Sequence, residues 1–172
     1  MRPWLFVATA LLGSGACAPR AAPLTEAQRQ GIADTAVALV RGAFLEGTNR
    51  LDVARAFRDY SFDPDVQVVV NGQVFPAVED FRQAEAAAWR TFDSLEATPR
   101  QLRPVVLGPD AALVVAPYTF AAVPRGGRPI RGNAVATFVL QRRGGRWQVV
   151  HQHESVVDVA RITRELEAQR PR

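Results

Sequence analysis

The stretch Gly145-Arg146-Trp147-Gln148-Val149-Val150-His151-Gln152-His153-Glu154-Ser155 decides the fold of this chain. It alternates with the two-residue period of a β-strand, in which neighbouring side chains point to opposite faces. We expect the face that begins with Trp147 and Val149 to continue through His151 and His153, the only histidines in the chain. An apolar face that becomes imidazole-bearing predicts a core that opens into a polar cavity, with the indole and both imidazoles pointing inward.

Other strands precede this one. Val66–Val70, followed by Asn71-Gly72, predict a short hairpin, because Asn-Gly is the preferred sequence of a tight two-residue turn. Longer strands are predicted over residues 100–107, 111–122 and 131–142. The short connections between them, which contain glycine or proline, predict antiparallel pairing.

Helical patterns come before most of the strands. A capping box at Thr25 predicts the start of an amphipathic helix that runs to about Glu46, and a short second helix should end at Phe57. A third helix is predicted from Val78, with an apolar stripe that reaches Leu95. Helices followed by antiparallel strands indicate an α+β fold, a curved, cone-shaped antiparallel sheet that wraps the N-terminal helices.

The composition is that of one globular domain. The 172 residues are 48% hydrophobic and 22% charged, and the formal net charge is +4. All 21 basic residues are arginines, but they form no run interleaved with aromatic residues. Nucleic-acid binding is therefore not predicted.

The N-terminus has the pattern of an export signal. Met1–Ala16 combine one arginine, a short apolar run and small residues, and Cys17 follows directly. This resembles the lipobox of bacterial lipoproteins, although Ser14 stands where leucine is usual. The resemblance implies an acylated Cys17, a tether over 17–23 and a periplasmic or outer-membrane-anchored protein. A plain secretory signal cut near Ala16 is the alternative.

The order of elements and the Gly-x-Trp-x-Val-Val-His-x-His-x-Ser strand resemble the nuclear transport factor two-like superfamily, and most closely its SnoaL-like and ketosteroid-isomerase-like domains. The resemblance covers residues 24–157 and leaves 158–172 as a weakly helical tail. It implies a cystatin-like α+β roll with an apolar pocket at its open end. The superfamily includes isomerases, cyclases, dehydratases and binding domains without catalysis, and its outer sheet face often forms homodimers.

Three residues are candidates for acid–base chemistry. His151 and His153 would titrate near physiological pH, unless they are hydrogen-bonded histidines with a structural role. Asp63 corresponds to the region where ketosteroid-isomerase-like members carry a proton-abstracting carboxylate, although Asp63-Pro64-Asp65 also fits a solvated turn. No tyrosine lies on the first helix, which counts against steroid isomerisation. Two imidazoles alone do not make a zinc site, so neither a metal nor a cofactor is predicted.

Aromatic residues could line the pocket or fill the core. Arg131 could bind a carboxylate at the pocket mouth. The aromatic candidates for ligand binding are Tyr60, Trp89, Phe92, Tyr118, Phe120 and Phe138.

These patterns predict an exported, lipid-anchored domain that binds a small hydrophobic or amphipathic molecule. One alternative is an acid–base isomerase, cyclase or dehydratase that uses the histidines and Asp63. The other is a homodimeric assembly module.

Overall fold

A computed structural model describes residues 22–169 of the chain. The predicted signal peptide, Met1–Ala16, and the predicted acylation site, Cys17, lie outside these residues. None of the helices in the described part is long and apolar enough to cross a membrane.

The N-terminal helix is longer than predicted. Helix α1, Glu26–Val40, begins at the predicted capping box, in which Thr25 and Gln28 exchange hydrogen bonds. It continues through a π-helical segment, Arg41–Leu45, into the last turn, α2, Glu46–Asn49. The side chain of Asp52 then caps the short helix α3, Val53–Ala56.

Within residues 22–169 the strands are β1 Gln67–Val70, β2 Gln73–Phe75, β3 Phe92–Pro99, β4 Arg103–Gly108, β5 Ala111–Pro124, β6 Ile130–Arg143 and β7 Arg146–Val156. These seven strands form one sheet in the order β2-β1-β7-β6-β5-β3, with β4 pairing beside β3 on the same edge of β5. All neighbours are antiparallel except β1 and β7, which run parallel. Helix α4, Val78–Trp89, follows the first hairpin, and α5, Val159–Glu167, follows the last strand.

The sheet packs one face against the helices, and this confirms the predicted α+β class. Phe138 of β6 is fully buried, and its ring centroid lies 4.9 Å from that of Phe44 in the π-helical segment. Val40 of α1 and Leu140 of β6 belong to the same buried cluster. The core therefore lies between the N-terminal helices and the concave face of the sheet.

The third helix is shorter than predicted, and a strand takes its place. Helix α4 ends at Trp89, where the backbone N–H and the hydroxyl of Thr91 both donate to the carbonyl of Ala88. Phe92 and Leu95 therefore lie on β3 and not on a helical stripe. A register shift between Phe92 and Ser94 in the pairing with β5 interrupts the alternation that would have marked this strand in the sequence.

Pro117 lies inside β5 without breaking the sheet. On one side it pairs with Val135 of β6. On the other side β5 changes partners near this point, from β4, whose pairing ends at Val115, to β3, whose pairing starts at Tyr118. Proline has no backbone N–H, and Pro117 lies at the point between β4 and β3 where β5 has no paired residue on that edge.

A register shift in β7 contradicts the predicted face of the histidines. Val139 pairs with His151 but the next residue of β6, Leu140, pairs with Val149, so Val150 is the extra residue of a bulge. A bulge of one residue exchanges the two faces of the strand beyond it. Val149 points into the core before the bulge, whereas Gln152 is fully buried after it and His153 is exposed.

The C-terminal segment packs onto the domain. The Arg161 guanidinium donates to the carbonyl of Arg131, and the Gln169 side chain accepts from the backbone N–H of Arg128. Ile162 on the inner face of α5 is 8% exposed. The segment predicted as a peripheral tail therefore covers one end of the sheet.

Candidate functional site

A cavity of about 340 Å³ lies between the helices and the concave face of the sheet. Phe44 of the π-helical segment and Phe57 after α3 line one side, and Phe81 of α4 lines another. Ile162 and Leu166 of α5 complete the wall. Among the described residues, every helical segment except α1 thus contributes to this cavity, together with the sheet.

Five of the predicted ligand-binding residues line this cavity. They are Tyr60, Trp89, Phe92, Tyr118 and Phe120.

Two of the predicted ligand-binding residues, Phe138 and Arg131, do not line the cavity. Phe138 is fully buried in the core behind Phe44. Arg131 is exposed on the opposite face of β6, because its neighbour Ile130 points inward, and it lines a separate polar groove with Arg161. The predicted role of Arg131 at the cavity mouth is therefore wrong in its geometry.

A buried hydrogen-bond chain runs from Tyr60 to Glu154. The Tyr60 hydroxyl donates to the amide oxygen of Gln152, and the Gln152 amide nitrogen donates to the Glu154 carboxylate over 3.1 Å. Tyr60 is 4% exposed and Gln152 is fully buried. Because the hydroxyl takes the amide oxygen, the amide NH₂ must face Glu154. The chain therefore fixes the orientation of the Glu154 carboxylate.

Glu154 points into the cavity. Burial raises the pKa of its carboxyl above the usual value, while hydrogen bonds from Tyr118 and Gln152 partly offset this shift by stabilising the carboxylate. Burial also raises the pKa of the Tyr118 hydroxyl, and the nearby Glu154 adds to that effect. Tyr118 therefore remains a proton donor across the physiological pH range.

Glu85 of α4 is the second carboxyl in the cavity. Burial, with a further contribution from the charge of Glu154, raises the pKa of Glu85 from 4.5 to about 7, and a hydrogen bond from Trp89 opposes the shift. Two buried carboxyls that repel each other resist simultaneous ionisation. The Glu85–Glu154 pair therefore holds at least one proton in part of the population at neutral pH.

Thr48 and Asn71 add polar atoms to the lining. The side-chain oxygen of Asn71 is already hydrogen-bonded, because it accepts from the backbone N–H of Val156 over 2.7 Å. Thr48 is 6% exposed, and its hydroxyl has no hydrogen-bond partner in the described structure. A buried hydroxyl without a partner is costly, so Thr48 is an unsatisfied polar group in the cavity wall.

The two histidines do not line the cavity. His151 is half-buried, and its Nδ1 lies 3.0 Å from the carbonyl oxygen of Gln67, which it meets as a hydrogen-bond donor. His153 is exposed on the outer face of the sheet. Their prediction as acid–base groups inside a cavity is wrong in geometry, because the bulge at Val150 turns both rings outward.

Asp63 also lies outside the cavity, in the solvated turn that was the alternative interpretation. Its carboxylate accepts from the Ser61 hydroxyl over 2.8 Å and from Arg143 over 2.6 Å, and Arg143 also binds Asp65. These hydrogen bonds lower the pKa of Asp63, the one from Ser61 most. An exposed carboxylate paired with arginine has no cavity substrate from which to take a proton.

Sequence reasoning missed the polar residues of the site, Glu85, Gln152, Glu154 and Thr48. Glu85 had a usable signal, because it lies four residues from both Phe81 and Trp89 and so shares their buried helical face. Among residues 22–169 no group of three or more histidine, cysteine or acidic side chains is arranged to hold a metal ion.

Comparison with known proteins places the chain in a family. The SnoaL-like domain family matches residues 37–159, so this chain belongs to that family. No curated protein sequence matches the chain.

Solved structures support the same fold. A protein with a cystatin-like fold from Caulobacter vibrioides is 22% identical and covers 78% of this chain and 96% of its own, with a TM-score of 0.61. A nuclear transport factor two-like superfamily protein from Salmonella enterica is 16% identical, covers 75% of this chain and 90% of its own, and has a TM-score of 0.63. A hexachlorocyclohexane dehydrochlorinase from Novosphingobium barchaimii LL02 is 17% identical, with 77% and 91% covered and a TM-score of 0.63.

The family match shows a SnoaL-like domain, and the solved structures show that the chain has the α+β roll of nuclear transport factor two-like proteins, as the sequence predicted.

Proposed function

We propose that this protein is an exported domain that binds a small, largely apolar molecule in the cavity. The observation that carries the proposal is an aromatic-lined cavity of about 340 Å³ with polar groups concentrated at Glu85 and Glu154. Ligand pockets in proteins usually have this composition, with apolar walls for affinity and a few polar groups for orientation.

Blocking the cavity tests this proposal. Ala88 lies on α4, is exposed and lines the cavity, whereas its neighbour Ala87 is exposed but does not line it. We expect Ala88→Trp to weaken binding of an apolar fluorescent dye by about tenfold or more, which corresponds to about 1.4 kcal/mol. Ala87→Trp is the matched control. Equal dye affinity in both variants would contradict binding in this cavity.

The export part of the proposal depends on the leader and on Cys17. A lipid anchor would hold the domain at a bacterial membrane surface, with residues 18–23 as a tether. Mass spectrometry of Cys17 in the membrane fraction tests this, because an acylated N-terminal cysteine is expected. A free thiol at Cys17 would leave export without an anchor.

Acid–base catalysis is a second candidate, favoured by the Glu85 pKa of about 7. A general base works best when its pKa lies near the working pH. In this reaction the Glu85 carboxylate takes a proton from carbon next to a carbonyl. That proton then returns to another carbon in an isomerisation, or a leaving group departs in an elimination. The dehydrochlorinase similar in fold is an enzyme of the elimination type by its name.

Hydrogen exchange tests catalysis without a known substrate. A panel of cyclic ketones in deuterated buffer is followed by nuclear magnetic resonance for exchange next to the carbonyl. We expect the protein to accelerate exchange of a ketone that fits, and Glu85→Gln to lose about a hundredfold or more of the acceleration. His153→Ala, which changes an outward-facing residue, should retain it. No acceleration with any ketone would leave the domain as a binding protein.

The outer face of the sheet favours the homodimer as a further proposal. Val105 on β4 and Val135 on β6 are 48% and 41% exposed there. Light scattering should give twice the monomer mass, and Val135→Glu should halve it. A monomer for the unmodified protein would contradict the dimer.

A further inference from the structure

The charges in the cavity are unbalanced. Glu85 and Glu154 both line it, whereas no arginine or histidine is among its described lining residues. The ion pairs found within residues 22–169 all lie elsewhere, such as those of Arg143 with Asp63 and Asp65. The carboxyl pair therefore has no counter-cation from the part of the chain that the structure describes.

Within residues 22–169 the hydrogen-bond donors to both carboxyls are neutral. Gln152 and Tyr118 donate hydrogen bonds to Glu154, and Trp89 donates one to Glu85. An ionised carboxylate accepts about four hydrogen bonds, so both groups keep free acceptor positions. Neutral donors orient the carboxylates but do not neutralise them. A bound molecule with a positively charged N–H group can both donate to the free acceptor positions and neutralise the carboxylate charge.

The walls around the carboxyls suit a cation with an apolar body. Trp89, Tyr60 and Tyr118 line the same cavity, and the faces of aromatic rings attract positive charge. The remaining walls, such as Phe57 and Phe81, exclude water and favour hydrocarbon. Aromatic walls also reduce the cost of burying an ammonium group.

Thr48 is an observation independent of the carboxyls. Its hydroxyl oxygen is buried in the cavity wall without a partner in the described structure, on α2 and not on the elements that carry the glutamates. A hydroxyl oxygen is an acceptor for N–H. A hydroxyl can also donate its own proton, so a ligand N–H is one of the groups that would satisfy it.

We propose that the ligand is an amphipathic amine, with an aromatic or alicyclic body and one protonated nitrogen that pairs with Glu154 and Glu85. The inference rests on the proposed binding of a small molecule and specifies its chemical class. A ligand with a single positive charge fits the glutamate pair, because one ammonium group balances one carboxylate while the second carboxyl stays protonated.

Proton release is a consequence of this pairing. The titratable side chains that face the cavity are Glu85, Glu154, Tyr60 and Tyr118. The tyrosines stay protonated because burial raises the pKa of both hydroxyls. An incoming ammonium group favours ionised carboxylate, so binding displaces up to one proton from the glutamate pair.

Three probes of matched shape test the ligand class: naphthylmethylamine, naphthylmethanol and naphthoate. Calorimetry on the full chain at pH 7 should show the amine binding about tenfold or more tightly than the alcohol, as one charge-assisted hydrogen bond provides. The naphthoate should bind weakest. Titrations in buffers of different ionisation enthalpy should show protons released with the amine and none with the alcohol.

Variants separate the charge effect from the fold. Glu154→Gln and Glu85→Gln should each reduce the preference for the amine over the alcohol and keep binding of the alcohol. Glu79→Gln, in an exposed pair with Arg82, should retain the preference. Equal affinities of amine and alcohol would overturn the amine inference and leave small-molecule binding intact. Failure of all three probes and of the apolar dye would overturn both.

Discussion

Two pairs of acidic residues in this protein have opposite environments. Asp63 and Asp65 lie on an exposed turn, where Arg143 binds both carboxylates at 2.6 and 3.0 Å. Glu85 and Glu154 lie in an apolar cavity, where their hydrogen-bond donors from the described part of the chain are all neutral. The pKa values of the first pair are lowered and those of the second pair are raised.

The comparison shows that environment assigns the roles of these carboxyls. Hydrogen bonds from Ser61 and then from Arg143 lower the pKa of Asp63 and keep it ionised, so it pairs with the arginine and stabilises a turn. Burial makes ionisation of Glu85 costly, so it exchanges a proton near neutral pH. A carboxyl of the second kind is available for ligand binding or proton transfer.

The largest expected effect comes from removing the hydrogen-bond chain that orients Glu154 in the cavity. Gln152→Leu removes the amide between Tyr60 and Glu154 and leaves two buried polar groups without that partner. We expect the free energy of unfolding to fall by about 3 kcal/mol in chemical denaturation, since each such group costs about 1–3 kcal/mol.

The control for this substitution is Gln148→Leu, at the half-buried start of the same strand. We expect it to change stability by less than about 1 kcal/mol. Equal losses in the two variants would indicate that the chain from Tyr60 to Glu154 contributes nothing specific.

The second effect is a pH dependence that belongs to Glu85. Its folded pKa of about 7 lies above the unfolded value of 4.5, so the protonated form is favoured on folding. The stability it contributes is complete below about pH 4.5 and is lost as pH rises through about 7. As pH rises across that range, the wild type should lose about 2 kcal/mol of unfolding free energy relative to Glu85→Gln. This figure is smaller than the full pKa shift implies, because partial solvent exposure weakens the effect.

Glu79→Gln is the control on the same helix. Arg82 lowers the pKa of Glu79 to about 2, so this carboxyl stays ionised in the folded protein across the same pH range. The unfolding profile above pH 5 should therefore keep the wild-type slope. If Glu85→Gln also kept that slope, Glu85 would not retain its proton in the folded state.

The smallest effect is expected at the exposed pair. Asp63→Asn removes one partner of Arg143, but Asp65 remains bound to the same guanidinium. Exposed ion pairs contribute little and are screened by salt. We expect no measurable change in the thermal midpoint at pH 7 in 0.15 M salt. A clear loss would mean that the turn is a structural support of the sheet.

The fold was largely predictable because its determinants are local. The capping box at Thr25, the Asn71-Gly72 turn and the alternating strands from residue 111 onward all specify structure within a few residues. The helix predicted through Leu95 was wrong, because Phe92 and Leu95 fit a helical stripe as well as a bulged strand.

The site was only partly predictable because it depends on pairing between distant segments. The adjacent residues Val149 and Val150 are the one sequence feature that hints at a bulge. The position of the bulge is set by pairing with distant segments. Before the bulge the Val149 backbone forms hydrogen bonds with the backbone of Asp59 and Ser61, and after it His151 pairs with Gln67 of β1. That pairing, absent from any local pattern, decides that Glu154 and not His153 enters the cavity.

Site-specific titration tests the central claim most directly. Carbon-detected nuclear magnetic resonance of the side-chain carboxyls would follow Glu85 and Glu154 beside Asp63 and Asp65 in one sample. We expect a Glu85 midpoint of about 7, a Glu154 midpoint above the ordinary 4.5, and midpoints below the ordinary 3.8 for both aspartates. Ordinary midpoints near 4.5 for both glutamates would contradict it, because carboxyls that titrate as in water are not enclosed in an apolar cavity.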